Sequence, residues 1–145
     1  MKSRTGFTLI EMLVVVAVIA ILASMVGPMV FRNVSDAKVA SAKAQIEILS
    51  TALDAYRLDN DFYPSTDQGL AALWKEPAGS SGAVNWRGPY LRKPPPLDPW
   101  DRPYVYVSPG TVNRHSFDLQ THGRDGQVGG TGEDADLTSW GPATQ

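Results

Sequence analysis

The chain has 145 residues, 13 basic and 15 acidic, with a formal charge of −2; that length allows one core of ordinary size, and no basic cluster offers nucleic acid an electrostatic footprint. The absence of cysteine excludes disulfides, thiolate metal sites and cysteine nucleophiles together. Two histidines, His115 and His122, leave little material for zinc or for imidazole acid–base chemistry.

Residues 7–31 hold 20 hydrophobic side chains in 25 positions, and residues 12–31 carry no charge. At about 1.5 Å per residue such a helix spans roughly the 30 Å hydrocarbon core of a bilayer, so the segment can cross a membrane. Lys2 and Arg4 precede it without an acidic neighbour, which by the positive-inside tendency puts residues 1–6 in the cytoplasm and the remainder outside. A secretory signal peptide would carry a small-x-small cleavage site behind its apolar run, yet residues 17–24 contain no Ala-x-Ala. Here the small residue comes first: Gly6 stands directly before the apolar run, and a cut after it would remove the basic leader and leave the hydrophobic helix in place.

Gly6-Phe7-Thr8-Leu9-Ile10-Glu11 closely resembles the prepilin peptidase recognition sequence of the type IV pilin and pseudopilin superfamily. The resemblance implies cleavage after Gly6 and N-methylation of Phe7. Glu11 has two readings, since an ionised carboxylate inside an apolar helix costs a few kcal/mol unless it is paired or wet. It lies near enough to the headgroups to stay hydrated, or it is kept for the ammonium that cleavage creates on Phe7 of a neighbouring subunit; the resemblance favours the second. Pro28, beside Gly27, lacks a backbone donor and crowds the preceding turn, predicting a kink or local unwinding over 24–28. In the superfamily that stretch loosens when subunits pack into a fibre, which makes Glu11 and Pro28 the expected assembly residues.

Past Phe31 the pattern turns amphipathic without a break. Ile46, Leu49, Leu53 and Tyr56 recur at helical spacing, while Lys43, Glu47, Asp54 and Arg57 supply the polar face. The same helix is predicted to run to about Leu58 and to stop at Asp59-Asn60-Asp61. Counted from Phe7, about 50 residues make roughly 75–80 Å, longer than a domain of this size can enclose, so half is expected to project. A short helix is predicted over 67–75, capped by Thr66 or Asp67, with Leu70, Leu73 and Trp74 on one face. Residues 76–99 read as loop, flexible at Gly79-Ser80-Ser81-Gly82 and stiff at Pro94-Pro95-Pro96. Residues 102–108 and 116–121 read as paired strands joined by a turn over 109–113. Trp74, Trp86, Trp100 and Trp140 are expected as core or loop anchors. The fold class is α+β: a long N-terminal helix, its hydrophobic half projecting, packed by its C-terminal half on a small antiparallel sheet.

Residues 123–136 pack five glycines and four acidic side chains into 14 positions, with no base from Asp125 onward. Like charges in a tight loop repel unless a cation sits among them, and hard oxygens without nitrogen or sulfur suit calcium. The EF-hand spacing fails, and the single Gly-Gly-x-Gly-x-Asp match at 129–134 has no neighbouring repeat to complete a site. A solvated acidic loop remains the alternative.

Nearly the whole chain resembles the major pseudopilins of bacterial type II secretion systems. The resemblance is carried by Leu58-Asp59-Asn60-Asp61-Phe62-Tyr63-Pro64, Gln68-Gly69-Leu70, Gly88-Pro89-Tyr90, Asp98-Pro99-Trp100, Pro103-Tyr104 and the Gly123-x-Asp125-Gly126…Asp134-Ala135-Asp136 end. It implies one structural calcium ion in the C-terminal loop, with Asp125 and Asp136 as side-chain ligands, backbone carbonyls near His122 and Gln127, and Asp134 as a further candidate. Thr121-His122 departs from the family's usual Ser-Leu, and the His122 ring is expected to be an exposed loop residue.

The implied division is a cleaved cytoplasmic leader (1–6), a transmembrane and assembly helix (7–31) and a periplasmic globular domain (32–145). The implied function is structural: a single-pass inner-membrane protein, N-terminus cytoplasmic, that polymerises with itself into a helical pseudopilus and helps drive folded proteins through the outer membrane. Minor pseudopilins, a prepilin peptidase and an inner-membrane secretion platform are the implied partners. An enzyme lacks support, since there is no nucleophile elbow, phosphate loop or His/carboxylate cluster. A type IV pilus subunit for adhesion or motility is the alternative, but those usually close a C-terminal loop with a disulfide.

Overall fold

The structure is a computed structural model describing residues 6–78 and 85–141, without the side chains of Gly27 and Pro28. The leader up to Thr5 and the Gly79-Ser80-Ser81-Gly82 loop lie outside the described residues. One helix, α1, runs from Leu9 to Asn60, two residues beyond the expected end. It stops where Asp61 takes a left-handed φ of 68°, a conformation that a short polar side chain tolerates better than most. The helix passes through 24–28 without a break, so the expected unwinding is not a feature of the single chain. The chain divides into two compact units, Met1–Asp36 and Ala37–Gln145.

In the first unit the helix is apolar and exposed, with Val14, Val18, Ile21 and Met25 all at least half accessible. By length and composition α1 can cross a membrane.

The second unit holds the core. Ala42, Ile46, Leu49, Leu53 and Tyr56 recur every three or four residues and bury one helix face against Ala72, Leu73, Tyr104, Tyr106, Phe117, Leu119 and Leu137. Burying this stripe removes apolar surface from water, the principal stabilising term. Three antiparallel strands, β1 (Val105–Val107), β2 (Asp118–Thr121) and β3 (Leu137–Thr138), lie in the order β1-β2-β3. Tyr106 faces Leu119 across the first pair, and Thr121 faces Leu137 across the second.

The strands are shorter than their alternation predicts because flanking backbone groups are engaged elsewhere. The Arg102 amide donates to Asp98 Oδ1 and the Ser108 amide to Thr66 Oγ1, while Pro103 has no amide to give. Ser116 belongs to the turn: its amide donates to Asn113 and its carbonyl accepts from Gly110. The expected helix over 67–75 is reduced to a 3-10 turn, Leu70–Leu73. Gly69 at φ 59° interrupts it, Thr66 is diverted to Ser108, and the reciprocal cap is Ser65 with Gln68, not Thr66 or Asp67. Trp86 and Trp100 act as anchors through indole N–H bonds to the Ala72 carbonyl and Glu133; Trp74 is instead 39% exposed. Asn60 and Asp59 do more than turn the chain. Asn60 accepts from the Asn85 amide, and Tyr90 Oη donates to Asp59, so the end of α1 fastens the 85–90 loop.

Candidate functional site

Two regions carry the residues singled out by sequence, one in each unit. At the N-terminal end, Gly6, Phe7 and Thr8 precede the first turn of α1, and both Gly6 and Phe7 are exposed. A Cβ at Gly6 would meet nothing within 4 Å, so space within the chain does not require glycine there. Glu11 has a local partner that neither sequence reading included. Its Oε2 accepts from the Thr8 amide at 2.8 Å and from Thr8 Oγ1 at 2.9 Å, while the Glu11 amide donates to Thr8 Oγ1 at 3.3 Å. This is a capping box: Thr8 and Glu11, three residues apart, satisfy otherwise unpaired groups at the helix start. The Thr-x-x-Glu spacing was present in the sequence as the signal. Phe7, Ile10, Glu11, Val14 and Val15 line an open, mainly apolar groove here.

The C-terminal loop is folded back on itself. The Arg124 amide donates to the Glu133 carbonyl, the Gly126 amide to the His122 carbonyl, and the Asp136 amide to the Gly129 carbonyl. Gly130 sits at φ 85°, where a Cβ would lie 2.3 Å from the Asp134 carbonyl oxygen, so the two arms approach too closely for any other residue.

Each carboxylate of the expected ligand set has a protein partner. Asp125 Oδ1 accepts from the Gln127 amide at 3.0 Å. Asp136 lies 3.0 Å from His122 Nδ1 through Oδ1 and accepts from the Gly129 amide through Oδ2 at 2.9 Å. Asp134 is paired with Arg124 instead, its two oxygens accepting from Arg124 Nε at 2.9 Å and Nη2 at 3.0 Å. His122 is half-buried, not the exposed loop residue its position predicts, and its ring engages Asp136. Among the described residues no three His, Asp or Glu side chains gather as a metal-binding group. The donor chemistry still suits a hard cation, provided that Asp125 and Asp136 are completed by backbone carbonyls.

Besides Arg124, which pairs with Asp134 and Glu133, a second positive charge reaches the loop from earlier in the chain. Arg102 Nη1 donates to the carbonyls of Gly123 and Arg124, both at 2.8 Å, a contact across more than 20 residues that no local spacing signals. Its backbone is fixed by Asp98, buried to 3% exposure, which accepts from the Trp100 and Arg102 amides and from Thr121 Oγ1 of β2.

A second buried carboxylate, Asp118, organises the turn between β1 and β2. Its oxygens accept from the Thr111 amide and hydroxyl and from the Val112 and Asn113 amides, at 2.6 to 3.0 Å. Burial pushes this carboxyl up, but those hydrogen bonds outweigh it and hold the group below the ordinary aspartate range.

The family model described as Type II secretion system (T2SS), protein G matches residues 29–140, and the one described as Prokaryotic N-terminal methylation motif matches residues 1–27. The chain is 47% identical over 139 residues to the type II secretion system core protein G of Pseudomonas aeruginosa, covering 96% of each. It is 44% identical to that of Vibrio cholerae, covering 97% of this chain and 94% of the relative. The fold is similar to the crystal structure of the major pseudopilin from the type 2 secretion system of enterohaemorrhagic Escherichia coli. That match has a TM-score of 0.61 at 35% identity and covers 74% of this chain and 90% of that one.

Proposed function

The chain belongs to the protein G family of the type II secretion system, the major pseudopilins, and from that premise we propose that it is cut after Gly6, methylated on Phe7 and polymerised through residues 7–31 into a periplasmic pseudopilus. It is a structural subunit, and the pilus alternative has no comparable support. The observation that carries the reading is an apolar helical segment exposed along its length directly behind the Gly6-Phe7 junction. Each exposed Val, Ile or Leu forgoes about 1.5–3 kcal/mol of burial, so the segment is at home only in lipid or among copies of itself.

Before assembly the helix holds the protein in the inner membrane by a single pass, with residues 1–6 cytoplasmic and the globular unit periplasmic. Assembly exchanges lipid for neighbouring helices, and heterologous contacts of this kind produce open helical filaments. The ammonium created on Phe7 of one subunit attracts Glu11 of another, competing with the Thr8 cap. Prepilin peptidase, minor pseudopilins and the inner-membrane platform are the proposed partners.

Calcium is the proposed staple of the C-terminal loop. Asp125, Asp136 and the carbonyls of His122 and Gln127 would hold the ion, which would offset the loop's negative charge. Asp134 is left out of this set because Arg124 engages both of its oxygens. Calcium should raise the melting midpoint of the full chain in detergent relative to chelator, and an unchanged midpoint would refute the staple.

Processing is tested by intact mass. Expressed with a prepilin peptidase, the wild-type chain should lose residues 1–6 and gain one methyl group, whereas Gly6→Val should remain a full-length membrane precursor. Normal removal of the leader from that variant would refute the assignment.

A further inference from the structure

The strongest unassigned feature outside the sequence motifs is Arg102, whose side chain is half-buried under the C-terminal loop. One nitrogen, Nη1, donates to two successive carbonyls, those of Gly123 and Arg124, at 2.8 Å each. Gly126 lies flat against the same guanidinium. At φ 69° its Cβ position would fall 2.7 Å from Arg102 Cζ and 2.8 Å from Nη1, so the loop closes directly onto the charge. The base of the side chain is equally constrained, because Asp98 accepts from the Arg102 amide and from Thr121 Oγ1 while its own amide donates to the Arg102 carbonyl. A continuous set of bonds therefore runs from β2 through Asp98 to Arg102 and into the loop.

The two carbonyls that Arg102 engages lie between those of His122 and Gln127, the backbone groups proposed for calcium. A guanidinium is always charged and presents a rigid fork of donors, and hydrogen bonds to a charged donor are stronger than neutral ones. We propose that Arg102 is a positioning residue for the C-terminal loop: an internal cation that holds the 122–127 arm in its folded course without metal and so preorganises it for calcium. This rests on the calcium reading above. Preorganisation strengthens binding because ordering the loop is no longer charged against the ion.

The test uses the full chain in detergent micelles, with calcium or chelator as the only variable, and compares wild type, Arg102→Met and Arg102→Lys. Amide hydrogen exchange is followed over residues 122–136 and, as an internal reference, over β1 and the buried face of α1. In chelator, Arg102→Met should raise loop exchange about tenfold with the reference segments unchanged. Its apparent calcium affinity, from the dependence of the melting midpoint on calcium, should fall by about tenfold. Arg102→Lys, which keeps the charge and stem but not the fork, should fall between the two and guards against general misfolding of the methionine variant.

Wild-type loop protection and calcium affinity in Arg102→Met would overturn the proposal, even with calcium still raising every midpoint. Midpoints that calcium moves in none of the chains would instead remove the calcium reading, and the preorganising role with it, whatever the loop exchange.

Discussion

Asp118 and Tyr56 are both buried polar side chains, and they stand at opposite ends of hydrogen-bond satisfaction. Asp118 accepts four hydrogen bonds, so Asp118→Asn, which replaces an acceptor oxygen with a donor, should cost about 1.5–3 kcal/mol. Because its folded pKa is depressed, the stabilisation is fully present above the unfolded value of about 3.9 and is lost as pH falls through the folded value. Urea melts should show the gap between variant and wild type at pH 7 and its progressive closure in acid. The Tyr56 hydroxyl, in contrast, has no hydrogen-bond partner among the described residues although the side chain is fully buried. Tyr56→Phe should therefore be neutral or stabilising by up to about 1 kcal/mol; a clear loss of stability would reveal a partner, such as an internal water. At this scale the sequence was only partly legible. It marked Asp125, Asp134 and Asp136 as a cluster, but not that Arg124 and His122 would engage two of them, nor that Arg102 would reach the loop. Such pairings depend on chain segments brought together by the sheet, which composition and spacing do not encode.

The long helix was legible because its signal is repeated over many turns. Its buried stripe and its exposed positions make opposite predictions under the same substitution. Leu53→Ala, at a site with no solvent exposure, should cost about 2–5 kcal/mol, whereas Ile48→Ala, at 60% exposure, should stay within about 0.5 kcal/mol. Thermal melts of the two variants would decide it, and equal losses would mean that the helix face is misassigned. Short elements were less legible. β3 has two residues, Leu137–Thr138, too few for alternation to register; β1 is trimmed by side-chain competitors for its flanking amides, and β2 by the backbone bonds of the turn at Ser116. The 3-10 turn at Leu70–Leu73 lost its expected α-helical form to Gly69 and to the Ser65–Gln68 cap. For β1, β2 and the 3-10 turn, a local hydrogen bond or a left-handed backbone outweighed the helical or strand periodicity.

At the scale of the whole molecule, sequence and structure divide the chain between two environments. Residues 37–145 form a unit with its own core, while the helix of residues 9–36 buries no apolar side chain among those described. Glu11 links this division to assembly. Within one chain it caps the helix through Thr8, and in the proposed filament the same carboxylate would instead accept a neighbour's new N-terminus. In the proposed function, removal of six residues turns a membrane-anchored precursor into a filament subunit. The most direct measurement is the intact mass of the subunit recovered from filaments sheared from cells that express the chain with its secretion apparatus. The expected subunit begins at a methylated Phe7. Filaments built from chains that still begin at Met1 would contradict it.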